Sequence, residues 1–260
     1  MTDTDGASAA VDDQDEFYIG YAASMPPRIA RFVSTAVIAA GCGAVALAVL
    51  VAAGHTRLEG GVFEFGHPQP FSGTIVARPY PALLLDGTDD RRASVLLVAP
   101  GKHGAAALVS GLDGHHVSVT GTRILRSGRT MLEVDPASIA SNGSTAERES
   151  AARASASGAG QSTTMSGEVV DSKCFMGVMV PGDGKTHADC AALCLRGGIP
   201  PALYVRDRED ESAVVLLAGS QGEAIGPRVS EFAGESVEVT GALERDSEWP
   251  VLRVESMRRK

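Results

Sequence analysis

Residues 32–54 run for 23 positions without a charged side chain. A bilayer core about 30 Å thick takes about 20 helical residues to cross, so this stretch reads as one transmembrane helix. That feature constrains everything after it, because the rest of the chain must fold while tethered to a membrane. A cleaved signal peptide fits less well. Such peptides have a basic start and an apolar core of roughly 7–15 residues, whereas the first 27 residues here hold no Lys or Arg. A lipoprotein signal ending at Cys42 is opposed by the apolar run that continues past it. A buried core helix would seldom be apolar all round.

Arg28 and Arg31 precede the span and Arg57 follows it. The excess of basic residues before the span predicts a cytoplasmic N-terminus. The chain then reads as a single-pass protein of the inner or plasma membrane, with its C-terminal domains periplasmic or extracellular. Ala36, Ala40, Ala44, Ala48 and Ala52 recur at spacing four. Small residues in such a ladder let a second helix approach closely, although an Ala-rich span produces the same pattern. Residues 1–15 are acidic and poor in aliphatic bulk, which predicts disorder. Phe17, Tyr18 and Tyr21 follow, just before the span. They fit either an interfacial aromatic belt or a segment that docks onto an integral-membrane or periplasmic partner.

The soluble part is duplicated. Residues 71–76 match 165–170 at an offset of 94, and residues 112–121 match 232–241 at an offset of 120. The runs 94–98 and 213–217 are also alike, and each copy ends in one further strand, at 130–134 and 251–255. Val117 and Val119, like Val237 and Val239, alternate with polar neighbours as half-buried strands do. Gly121 and Gly241 close that block where a bend is useful. The chain holds 30 Gly and 13 Pro, which favours short strands over long helices. The expected fold class is mainly β: one transmembrane helix, then two small barrels resembling the OB-fold, with a β-sandwich as the alternative. The expected domains are a head at 1–31, the helix at 32–54, a first barrel at 60–137, a Ser/Ala/Gly-rich linker at 138–164 and a second barrel at 165–260. Part of the linker, 145–154, could form a short helix.

The offsets differ by 26 residues (120 against 94), so the second copy carries an insertion, 174–201, absent from the first. It holds Cys174, His187, Cys190 and Cys194, spaced C-x12-H-x2-C-x3-C. Thr186 reads as an N-cap with Asp189 three residues on, 188–195 as helix, and Gly197, Gly198, Pro200 and Pro201 as its stop. His187, Cys190 and Cys194 then share one helix face, and Cys174, at a strand end, closes the site from the other side. Four chemistries fit. Three thiolates and one imidazole make a tetrahedral set suited to zinc. Copper is the second, with Met176 and Met179 as further soft donors. A disulfide from Cys174 to Cys190 or Cys194 is the third, the default in an oxidising compartment. Thiol redox catalysis is the fourth, although C-x3-C departs from the usual C-x2-C. His67, His103, His115 and His116 are scattered over the first copy and read as surface residues.

The net charge of −9 argues against a nucleic-acid partner. No triad, phosphate loop or paired-carboxylate constellation points to an enzyme. The C-x3-C pair with its nearby His resembles the copper chaperones of cytochrome oxidase assembly, which have a thioredoxin-like fold that the strand pattern here does not match. Residues 167–201 and the head at 16–32 resemble bacterial membrane-anchored proteins found alongside respiratory oxidoreductases, including molybdenum enzymes of the sulfite-oxidase type. That resemblance implies an accessory subunit of a membrane redox complex, with the barrels serving protein interaction. The alternatives are a metal-binding or copper-delivery module, with zinc or copper as cofactor, and a purely structural disulfide.

Overall fold

The computed structural model describes residues 25–55, 60–87, 94–141, 161–205, 214–245 and 248–260. Phe17, Tyr18, Tyr21 and the helix expected within 145–154 lie outside the described residues. The chain divides into two units, Met1–Leu58 and Glu59–Lys260.

In the first unit, helix α1 runs Pro27–His55, 29 residues. It begins earlier than the apolar run because Pro27, lacking an N–H, suits a first turn whose donors have no helical partner. Pro27–Ala53 is long and apolar enough to cross a membrane. Ala36, Ala40, Ala44, Ala48 and Ala52 all lie on α1 and are exposed.

The second unit is β-rich. Strands β1 (Val62–Phe63), β2 (Gln69–Val76), β3 (Ala82–Leu85), β4 (Ser94–Val98), β5 (His116–Arg126), β6 (Arg129–Val134) and β7 (Ala140–Ser141) form one sheet. Within it, the chain of pairings β5–β2–β3–β4–β6 closes because β5 also pairs β6, and β4–β6 is parallel. Strands β8 (Gln161–Asp171), β9 (Pro201–Tyr204), β10 (Val214–Gly219), β11 (Ser236–Glu244) and β12 (Val251–Arg259) close into a second barrel in the same order, with β10–β12 parallel. Two five-stranded barrels of OB-like topology are therefore present, as the repeat predicts. Both barrels extend into the stretch read as linker: Ala140–Ser141 pairs with β5, and β8 starts at Gln161.

The registers reproduce the sequence offsets. Val76 pairs Ala82 in the first barrel, and Val170 pairs Ala202 in the second. The offset is thus 94 on the first member and 120 on the second, which places the extra residues between β8 and β9. The repeated glycines sit where backbones cross. A Cβ on Gly73 would come 2.0 Å from Leu84 O, and one on its counterpart Gly167 would come 2.6 Å from Tyr204 O.

The two barrels share a core. In β4, Val95 and Leu97 enter the first barrel's interior, while Leu96 and Val98 face a cluster that spans both barrels. In β10, Val215 and Leu217 enter the second interior, while Val214, Leu216 and Ala218 join that same cluster. Both strands are buried along their full lengths. This is why Val95–Val98 and Val214–Ala218 are continuous apolar runs that lack a period of two. Tyr80 reaches across the junction: its hydroxyl donates to Leu217 O at 2.6 Å and accepts from Ile225 N at 3.2 Å. Burial pushes its ionisation far above the usual phenol range, so it remains a donor.

Candidate metal centre

The insertion is built on the end of β8. Asp171 closes that strand with no exposed surface. One helical turn follows at once, Cys174–Val178, which reverses at Gly177 with φ 140°. Cys174 therefore opens a turn and does not end a strand, as the sequence had suggested. Helix α2 runs Ala188–Arg196. Its N-cap residue is His187, without a side-chain cap, in place of the expected Thr186. Gly197 ends the helix and Gly198 takes φ +90°.

Asp171 organises the site from below. Its Oδ1 accepts from Cys174 N at 2.8 Å, and its Oδ2 meets His187 Nε2 at 3.1 Å. One donor atom each from Cys174, His187 and Cys190 lies within 4.8 Å of the other two. Asp171, Cys174 and Cys194 form a second such triad. The four residues predicted from spacing thus assemble, together with Asp171, as two triads hinged on Cys174. Cys174, Cys194 and His187 are buried and Cys190 is half-buried. All of these cysteines are free thiols.

The first barrel contributes a residue that the spacing does not reveal. Lys102 Nζ donates to Cys190 Sγ at 2.7 Å and lies 3.8 Å from Cys194 Sγ. Its loop follows β4 and is fastened to the second barrel at several points. Gly104 N donates to Gly197 O at 3.0 Å. Lys173, only 2% exposed, donates to Ala99 O at 2.8 Å and Gly101 O at 2.7 Å and ion-pairs with Glu133. A buried ammonium is tolerated only when paired and hydrogen-bonded, and Lys173 has both partners. The same loop recurs in the second copy, with the bridge Ala218–Ala224 matching Val98–Gly104. There the place of Lys102 is taken by Gly222.

The electrostatics favour a thiolate at Cys194, beside a protonated Cys174. The Cys174 thiol donates to Cys194, which with the Lys102 charge pulls the Cys194 thiol down to about 7. As that donor, and as a buried group beside Asp171, Cys174 is itself pushed up. The hydrogen bond to Asp171 raises His187. The hydrogen bond to Cys190 raises Lys102, so the ammonium stays charged beside the sulfurs.

Three sulfurs and an imidazole, held by a buried carboxylate, can take a soft or borderline metal ion; the same thiols are also close enough to be oxidised to a disulfide. Sequence reasoning missed Asp171, Lys173 and Lys102. The opposite charges of Asp171 and Lys173, set between Val169-Val170 and Cys174, are the signal that would have found two of them. Nothing local marks Lys102. Met176 is buried in the same core cluster as Cys174 and Cys194, and Met179 is exposed. Comparison with protein-family models, curated proteins and solved structures finds no match, so the site must be read from its own chemistry.

Proposed function

We propose that this chain is a single-pass membrane protein whose fused OB-like barrels hold one zinc or copper(I) ion at Cys174, His187, Cys190 and Cys194. The observation that carries the reading is the clustering of Cys174, His187 and Cys190 donor atoms within 4.8 Å of one another, with Cys194 adjoining through Cys174. Bonds of roughly 2.3 Å to sulfur and 2.0–2.1 Å to nitrogen set ligand atoms about 3.5–3.8 Å apart in a tetrahedron. The thiols therefore need only small shifts to close on an ion.

The chain's residues divide the work. Asp171 engages His187 Nε2, which leaves Nδ1 for the ion and fixes the ring's orientation, as outer carboxylates do for metal-bound histidines. With three thiolates, the ligand set carries more negative charge than a divalent or monovalent cation cancels, and Lys102 supplies a compensating positive charge. The bound ion would tie the insertion to β8 and stabilise the folded state.

Reconstitution of the reduced, metal-free protein with cobalt(II) tests this. A thiolate-to-cobalt charge-transfer band and tetrahedral ligand-field bands are expected, with the thiolate band falling in Cys174→Ser. Cobalt that stays octahedral would refute the site.

A second reading places this module as an accessory subunit of a membrane redox complex, its domains on the periplasmic or outer side. Its support is the resemblance of residues 16–32 and 167–201, together with the small-residue stripe along α1. Gentle detergent extraction that yields only the isolated chain would count against it.

A further inference from the structure

Among the described residues of the Glu59–Lys260 unit, five large apolar side chains are exposed: Val62, Phe65, Met179, Val180 and Leu193. Four of them come from two short segments that touch. Gly61 lies against the turn at Met176, where a Cβ would come within 1.9 Å of the Met176 carbonyl, and Gly177 packs back onto Gly61 and Val62. Phe63 and Val178 both pack against the shared core, and the Phe63 ring lies 5.6 Å from Phe65. Val62 and Phe65 thus stand on one side of this contact, with Met179 and Val180 continuing from the other. Phe65 is 78% exposed and Val180 86%, so neither contributes to the core. Exposed apolar side chains scattered singly need no explanation, but a contiguous group does.

We infer that this patch docks the barrel unit onto the lipid surface, at the headgroup–acyl boundary of the bilayer that α1 spans. The inference rests on the membrane-anchor half of the proposed function and is independent of the metal. Chain length argues for lipid as the occupant. Six residues, 56–61, separate His55 from Val62, so the two are seven residue steps apart and at most about 25 Å by covalent reach. The segment bearing Val62 and Phe65 is therefore tethered within that distance of the end of α1, whatever else the barrels do. Charge supports the same occupant. Glu64, the carboxylate between Phe63 and Phe65, is held by Arg123 through two contacts of 2.9 Å, which offsets the charge that would resist burial. Interfacial segments insert their apolar faces roughly 5–10 Å, a depth that side chains of this size can reach. The turn Cys174–Val178 belongs both to the patch and to the thiol site, so docking would set the thiols at a fixed, short height above the lipid.

The test uses the full chain in phosphatidylcholine nanodiscs, with Phe65→Trp or Val180→Trp as reporters. Both positions are exposed and tolerate a larger ring. The native Trp249 is buried, 3% exposed, and gives a background that wild type supplies. Gln221→Trp, in the loop after β10, is the exposed control. Lipids brominated on the acyl chain should remove most of the added fluorescence at 65 and 180 and leave that at 221. Quenching at 65 and 180 no greater than at 221 would overturn the inference. Shielding of 65 and 180 from an aqueous quencher, without bromine quenching, would also overturn it and assign the patch to a second copy or a protein partner. A chain that fails to enter nanodiscs would refute the anchor itself, and the docking with it.

Discussion

Asp171 is the residue on which the thiol site turns. Both of its oxygens are committed, one to the Cys174 backbone and one to the His187 ring. Asp171→Asn can keep an acceptor for Cys174 N but loses the charge that orients His187. It should weaken metal binding by about 10–100-fold, the usual cost of losing an outer-shell partner, as read by competition against a chelator. Lys102 acts differently, since it cannot be a ligand while charged. The hydrogen bond from Cys174 and the Lys102 ammonium together hold the Cys194 thiol near 7, and the ammonium favours the thiolate form. Lys102→Met should therefore move the thiolate midpoint of the metal-free protein upward, read as ultraviolet thiolate absorbance against pH. An unchanged midpoint would mean that the lysine does not act on the sulfurs. Of these residues, the four candidate ligands were legible because their types and spacing carry chemistry. Lys102 was not, because it lies 88 positions from Cys190 in the other copy and only the packing of the barrels brings it in.

At the scale of elements, the junction between β4 and β10 decides whether the site exists in its present form. Tyr80 satisfies one carbonyl and one amide of the partner barrel. Tyr80→Phe leaves both without that partner and should cost about 1–3 kcal/mol for an unsatisfied buried group, measured as a lowered thermal or denaturant midpoint. Gly197 does more than stop α2, since a Cβ there would come 1.8 Å from Lys102 O. Gly197→Ala should push the 99–104 loop away, at about 1–3 kcal/mol as overpacking usually costs, and weaken the Lys102 effect on the thiols in the same variant. The strands themselves were readable from period-two runs and from the repeat. The shared core was not, because 94–98 and 214–217 show that both faces of a strand are apolar without showing what covers the second face. The helix start was misplaced because Thr186 has the side chain of a cap, but the chain turns so that His187 takes that position.

At the scale of the whole molecule, the duplication does two jobs. It makes two closed barrels from one pattern, and it lets the copies diverge: one keeps a short β2–β3 connection, while the other carries the ligand-bearing insertion. The unaltered copy then closes over the insertion with the loop after β4, whose counterpart in the second copy has Gly222 where Lys102 stands. That division of labour was half visible in the sequence, as an offset that changes from 94 to 120. In the proposed function the insertion holds one metal ion. Its most direct test is elemental analysis of the full-length protein purified in detergent under reducing conditions, paired with a thiol count. One zinc or copper ion per chain is expected, with all three clustered thiols reduced, and the ion should be lost in Cys174→Ser. A metal-free protein in which Cys174 is joined to Cys190 or Cys194 would contradict it.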